Sequence, residues 1–62
     1  MIFADNLKVA RKAAGMPQLQ MAELMEIPKR TIEDWERGIA VPPAYVQRFV
    51  LKELEEIANK KM

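Results

Sequence analysis

The 62-residue sequence contains no cysteine, no histidine and no serine. Without cysteine no disulfide stabilises the fold, and without cysteine and histidine the usual zinc sites are excluded. The most frequent enzyme nucleophiles and the commonest acid–base side chain are therefore missing. The two glycines are far apart, so no glycine-rich phosphate loop is present. We expect no enzymatic activity, no metal site and no cofactor.

The sequence also lacks a long apolar run, because charged residues interrupt every hydrophobic segment. A helix that spans a membrane needs roughly 18 or more consecutive apolar residues. The N-terminus has no basic region followed by a long apolar stretch, which a secretory signal requires. We therefore expect a cytoplasmic protein with no membrane segment.

An excess of charge of one sign is lacking as well, since 10 basic and 9 acidic residues leave a net charge of +1. Non-specific affinity for DNA comes mainly from neutralising phosphates, so this total predicts weak DNA binding by a monomer. A local basic patch on the surface still binds DNA where the total charge does not favour it.

Length and composition predict one small all-α domain over residues 1–62. A chain of 62 residues buries only about 60% of its unfolded surface, so its core must be well packed. Hydrophobic residues make up 50% of the chain, and most of them are Ala, Leu, Met, Val and Ile. Stability has to come from the apolar faces of helices.

The first predicted helix covers residues 3–14, and Gly15 ends it. At helical spacing, one narrow arc collects four apolar side chains and one cation. The members of this arc are Phe3, Leu7, Ala10, Arg11 and Ala14.

The second predicted helix begins near Pro17 or Gln18 and ends near Met25. Proline suits the first turn of a helix but cannot continue one, so Pro28 forces a break. The apolar positions of this helix are Met21, Ala22, Leu24 and Met25. The third helix begins at Pro28 or Lys29, only about three residues after the second ends.

The third predicted helix carries Ile32 and Trp35 on its inner side and ends at Gly38. We interpret Trp35 as a core residue rather than as a platform on which a base stacks. A tight turn before this helix leaves its opposite face exposed, with the N-terminal end leading. A helix presented in this way fits the major groove of DNA, which is roughly 12 Å wide.

The last predicted helix starts near Pro43 and runs to about Asn59. Its expected core-facing stripe consists of Val46, Phe49, Val50, Leu54 and Ile57. We expect Tyr45 to pack against the core together with Phe49. An apolar flank formed by Leu51, Ala58 and Met62 lies beside the stripe. This flank is a candidate homodimer interface or a surface for a protein partner.

The segment from Met16 to Gly38 resembles the XRE-like helix-turn-helix family, which includes the Cro and phage-repressor domains. The string Thr31-Ile32-Glu33-Asp34-Trp35-Glu36-Arg37-Gly38 carries the most specific part of this resemblance. The resemblance extends from about Leu7 to Pro43. It implies a compact, lambda-repressor-like bundle of four to five helices. It also implies a sequence-specific transcriptional regulator that places its third helix, about residues 28–36, against double-stranded DNA as a dimer.

The sequence departs from this family at two positions. Pro17 stands where the family usually has a capping Thr or Ser, and Glu26 stands where the turn usually has Gly. A non-glycine residue at the second position must adopt a left-handed conformation, at a cost on the order of 1 kcal/mol or more.

The resemblance assigns roles to polar residues of the second and third helices. Base contacts fall on Lys29, Arg30 and Asp34, since Arg or Lys pairs with guanine and a carboxylate accepts from cytosine N4. The resemblance gives Gln18 a phosphate contact, and Gln20, Lys12 and Arg37 are weaker candidates for further phosphate contacts. The alternative for all of these residues is a solvated polar surface.

Arg11 lies on the apolar side of the first helix, and the family pattern pairs it with Glu36. We interpret this pair as a structural salt bridge between the first helix and the end of the third.

A second function remains open, namely an antitoxin-like or protein-interaction module with weak or no DNA binding. The low net charge, the carboxylates of Glu33 and Asp34 on the third helix, and the apolar flank of the last helix support it.

Overall fold

Four α-helices make up most of residues 2–60, the part of the chain that the computed structural model describes. The helices are α1 (Phe3–Ala13), α2 (Gln18–Met25), α3 (Lys29–Arg37) and α4 (Ala44–Lys60). The predicted all-α fold is confirmed, and each predicted helix is present with its ends shifted by at most about one residue. None of the four described helices is long and apolar enough to cross a membrane.

The core is built around α1, which packs against both α3 and α4, while α2 packs against α3. Each helix contributes at least one side chain that is almost completely buried. These side chains are Leu7, Met21, Ile32, Val50 and Leu54. Burying a large aliphatic side chain contributes roughly 1.5–3 kcal/mol, so these five residues supply much of the stability of a small chain.

Trp35 lies at the edge of this core rather than at its centre. It is half-buried, and its ring packs edge-on against Phe3, with ring centroids 6.0 Å apart and an interplanar angle of 70°. Edge-to-face aromatic pairs contribute about 0.5–1.5 kcal/mol beyond the area that they bury. The packing role predicted for Trp35 is therefore confirmed, and it joins the start of α1 to the end of α3.

Glycines end two of the helices as predicted. Gly15 has φ 70° after α1, and Gly38 has φ 76° after α3. Both residues adopt the left-handed conformation that a glycine reaches without steric cost. The backbone N–H of Ile39 then donates to the carbonyl of Asp34 at 3.0 Å, which closes the last turn of α3.

The turn between α2 and α3 contains the predicted left-handed residue. Glu26 has φ 56° and ψ 42°, and it is the non-glycine residue with positive φ in residues 2–60. Ile27 donates its backbone N–H to the carbonyl of Ala22 at 3.0 Å, which closes the C-terminal end of α2. The short turn is thus formed, but Glu26 adopts a left-handed conformation that is strained for a residue with a Cβ atom and unstrained for glycine.

The predicted core-facing stripe of α4 is wrong at Phe49, and the packing expected of Tyr45 is wrong as well. Val50 and Leu54 are buried, but Phe49 is 61% exposed and Tyr45 is 70% exposed. The two aromatic residues are one turn apart and share a side of the helix that the core leaves uncovered. The buried arc of α4 is instead rotated toward Leu51.

The apolar flank of α4 packs partly against the core. Leu51 and Ala58 are half-buried there, while Met62 lies outside the described residues. In α2, Leu24 is 59% exposed and does not join the core, unlike Met21. A helix of eight residues contacts α3 along one narrow side only, so not every apolar position of α2 is covered.

Substituting Glu26 by glycine tests whether its left-handed backbone conformation destabilises the fold. Glu26→Gly is expected to raise the free energy of unfolding by about 0.5–1 kcal/mol, because relief of left-handed strain outweighs the entropy gained by the unfolded chain. Thermal denaturation should show an increase of about 2–8 °C in Tm. Glu26→Ala is the matched control, since it removes the charge but keeps the Cβ atom, and it should give no such gain. An equal gain from both variants would show that charge, and not backbone strain, limits stability here.

Candidate nucleic-acid interface

A buried ion pair connects α1 with the end of α3. The Nε atom of Arg11 donates to Oε2 of Glu36 at 2.6 Å, and Nη2 of Arg11 donates to Oε1 at 3.1 Å. The third guanidinium nitrogen, Nη1, donates to the carbonyl of Met16 at 2.9 Å. The two side chains retain only 13% and 6% of their surface. Planar, two-pronged contacts between arginine and a carboxylate are stronger than neutral hydrogen bonds and fix the relative orientation of the two groups.

Gln18 extends this pair to the start of α2. Its Nε2 atom donates to Oε1 of Glu36 at 3.1 Å, so the Glu36 carboxylate accepts from two different helices. Within residues 2–60 every buried side-chain nitrogen or oxygen has a hydrogen-bond partner. The network of Arg11, Glu36 and Gln18 therefore sets how the start of α2 and the end of α3 lie relative to α1.

The N-terminal half of α3 lies on the surface. Its inner side is anchored by Ile32, which is fully buried. The side chain of Lys29 is 48% exposed and that of Arg30 is 86% exposed. Asp34 lies one turn further and is half-buried, with 28% of its side chain exposed. The three predicted base-contact residues therefore occupy a single accessible surface of α3.

Each cation of this surface has a carboxylate one turn away. Lys29 Nζ lies 2.9 Å from Glu33 Oε2, and Arg30 Nε lies 4.0 Å from Asp34 Oδ1. The hydrogen bond from Lys29, reinforced by its positive charge, lowers the pKa of Glu33. Glu33 is therefore charged at neutral pH. The exposed surface of α3 carries positive and negative charge side by side.

A polar depression of about 270 Å³ lies where α1, the start of α2 and α3 meet. It is lined by Lys8, Gln18, Glu33, Glu36 and Arg37. Two of the four predicted phosphate contacts, Gln18 and Arg37, are thus brought together here. The other two, Lys12 and Gln20, are exposed outside this lining.

Lys8 is a cation of this depression that the sequence analysis did not single out. It precedes Arg11 by three residues, and this spacing places both on neighbouring positions of one helix. The spacing was the available signal, but it does not reveal which side of α1 approaches α2. Only the packing of α1 places Lys8 beside Gln18.

Neither α2 nor α3 has a side-chain cap at its start, because Pro17 and Pro28 occupy the capping positions. The first intrahelical bond of α2 runs from the N–H of Met21 to the carbonyl of Pro17 at 3.1 Å. The preceding N–H groups have no intrahelical acceptor, as at every helix start. Such groups suit an anion, and at α2 they adjoin the side chain of Gln18.

Removing the guanidinium tests the structural role of the ion pair. Arg11→Ala is expected to lower the free energy of unfolding by about 3–5 kcal/mol, because it leaves the buried Glu36 charge without its partner. The Tm should fall by more than about 10 °C. Lys12→Ala is the neighbouring control, an exposed cation whose loss should change stability by about 0.5 kcal/mol or less. A Tm for Arg11→Ala within a degree or two of the wild type would contradict this role.

Comparison with curated proteins and with solved structures gives no significant match. A family model described as helix-turn-helix does match, over residues 7–49. This span covers more than half of the chain and runs from α1 through the whole of α2 and α3 into α4. The resemblance drawn from the segment between Met16 and Gly38 is confirmed. The chain belongs to the XRE-type helix-turn-helix family of DNA-binding regulators.

Proposed function

We propose that this protein is a sequence-specific DNA-binding transcriptional regulator that inserts α3 into the major groove. The observation that carries the proposal is the two-sided environment of α3. Ile32 and Glu36 anchor one side in the core and the ion-pair network, while Arg30 stands 86% exposed on the other. A rigidly held helix with free side chains at its N-terminal end suits reading of base edges.

Lys29, Arg30 and Asp34 are the proposed base contacts. Arg30 is the strongest candidate, because its 4.0 Å contact with Asp34 leaves most of its donors free. A guanidinium reaches the O6 and N7 atoms of guanine with two donors, while a carboxylate accepts from the N4 amino group of cytosine. Each such contact discriminates against a wrong base by about 1–3 kcal/mol.

Gln18 and Arg37 are the proposed phosphate contacts at the polar depression, with Lys8 as an additional cation. Gln18 adjoins the free N–H groups at the start of α2, and its amide is oriented by Glu36. Lys12 and Gln20 are proposed as further phosphate contacts because both side chains are exposed. Contacts of this type position a protein on the duplex without reading its sequence.

A homodimer is part of the proposal, because a single domain with a net charge of +1 neutralises few phosphates. Leu51 and Ala58 on α4 retain part of their surface after packing against the core. Two copies joined through this side of α4 would present two α3 helices to a palindromic site. In this proposal residues 1–62 form one domain without enzymatic activity. The protein binds DNA in the cytoplasm.

Protein–protein interaction in the manner of an antitoxin is the second candidate function. An apolar cleft of about 410 Å³ between the start of α1 and the end of α3 favours it. Phe3, Trp35 and Val41 line this cleft, and Val41 is 70% exposed. Exposed apolar surface of this kind commonly marks an interaction site.

Binding to DNA is tested with a duplex selected from a random pool and with a duplex of random sequence. Arg30→Ala is expected to weaken binding to the selected duplex by about 1–3 kcal/mol and binding to random DNA by less. Fluorescence anisotropy at several salt concentrations should also show affinity that falls steeply as salt rises.

Lys52→Ala is the control for Arg30→Ala, since it removes one exposed positive charge from α4. It should leave the ratio of specific to random affinity unchanged. If the wild type binds no duplex even at low salt, DNA binding is refuted and the protein-interaction function is favoured.

The proposed dimer is tested by placing a charge in its interface. Ala58→Glu should shift sedimentation equilibrium toward monomer, because the dimer would bury a carboxylate without a partner. Asn59→Glu adds the same charge at the neighbouring exposed position of α4 and should leave the association unchanged. A wild-type protein that stays monomeric at high micromolar concentration, with or without a palindromic duplex, would contradict the dimer.

A further inference from the structure

Two carboxylates stand among the cations that α3 presents to a ligand. Glu33 accepts from Lys29 at 2.9 Å, whereas Asp34 lies 4.0 Å from Arg30. The tighter pair involves Glu33, a residue to which the proposed function gives no role. Its place on the exposed surface of α3 therefore needs a physical explanation.

Glu33 also lines the polar depression, together with Gln18 and Arg37. The carboxylate thus lies beside two of the groups that are proposed to hold a phosphate. The hydrogen bond from Lys29 lowers the pKa of Glu33 and so favours its ionised form. A phosphate that enters this depression meets a fixed negative charge, which opposes binding to any DNA backbone.

The contact with Glu33 also occupies the ammonium group of Lys29. An ammonium group that already donates to a carboxylate contributes less to phosphate binding, because a new contact first requires the old one to break. Within residues 2–60, Arg30 has no comparably short contact, and its side chain is 86% exposed. The two cations in the first turn of α3 are therefore unequal, since Lys29 is held by Glu33 whereas Arg30 is free of such a contact.

We propose that Glu33 is a specificity-determining residue that keeps affinity for random DNA low by holding Lys29 and by repelling phosphates at the depression. At the correct site, base edges compensate for the broken pair, since guanine accepts from Lys29 and a cytosine amino group donates to the carboxylate of Glu33, in addition to the base contact proposed for Asp34. Specificity is a difference between two affinities, and a repulsive element increases it by weakening the wrong complex. This inference rests on the proposed DNA-binding function.

The expected effect is larger on random DNA than on a preferred site. Removing the Glu33 charge should raise affinity for a random duplex by about tenfold at low salt, which corresponds to one close charge interaction at the surface. One additional phosphate contact by Lys29 should steepen the dependence of log K on log salt by about 0.9. Affinity for a preferred site should rise by less, because there the carboxylate already has a favourable partner.

The test compares Glu33→Gln with Glu56→Gln by fluorescence anisotropy, on a random duplex and on one selected from a random pool. Glu56 is an exposed residue of α4, so its substitution makes the same change in net charge away from α3. Glu33→Gln should reduce the ratio of selected to random affinity about fivefold or more, while Glu56→Gln should leave the ratio within about twofold. Equal effects of the two variants would overturn the proposal, because total charge would then explain the gain.

A double-mutant cycle tests whether Glu33 holds Lys29. Lys29→Met should weaken random-duplex binding by less than about twofold in the wild type, but several-fold in the Glu33→Gln background. If the effects of Lys29→Met and Glu33→Gln are additive, Glu33 does not hold Lys29, and this part of the proposal is overturned. If the wild type binds no duplex, the proposed function itself fails. If it binds both duplexes and Glu33→Gln leaves their ratio unchanged, only the inference about Glu33 fails.

Discussion

The buried contact between Arg11 and Glu36 is the interaction on which the arrangement of the helices depends. Its geometry uses all three guanidinium nitrogens, two on the carboxylate and one on the carbonyl of Met16. Gln18 adds the start of α2 to the same carboxylate. An apolar core of aliphatic side chains tolerates small rotations of its helices, whereas a two-pronged ion pair does not. The network therefore supplies orientation that the hydrophobic core alone would not.

This orientation gives α3 two different sides. Ile32 is fully buried and Glu36 belongs to the ion-pair network, so the helix is held firmly along one side. On the other side, the two cations of the first turn, Lys29 and Arg30, each have a carboxylate one turn further along the helix. Strong non-specific attraction to DNA is therefore not expected from this surface, in agreement with the net charge of +1. The proposed recognition of DNA therefore depends on the placement of individual groups, and that placement depends on the buried network.

Helix boundaries were predictable because local chemistry sets them. Gly15, Pro28 and Gly38 each end or interrupt a helix through their own backbone properties, whatever the rest of the chain does. The faces of the helices were less predictable. Phe49 fits the apolar periodicity of α4, yet it is 61% exposed. When the apolar arc of a helix is wide, the sequence does not reveal which edge of the arc a neighbouring helix covers.

The sequence by itself determined the four helices and the family, because both follow from residue type and short-range spacing. The left-handed turn at Glu26 was predictable only through the resemblance to the family, since glutamate itself disfavours that conformation. Only the tertiary structure decided which polar groups meet. The contact of Gln18 with Glu36 joins residues on different helices, and the depression that contains Lys8 exists only where three helices converge. Spacing along one helix allows Lys29 to reach Glu33, but the packing of α3 decides that this pair faces outward beside the proposed phosphate contacts.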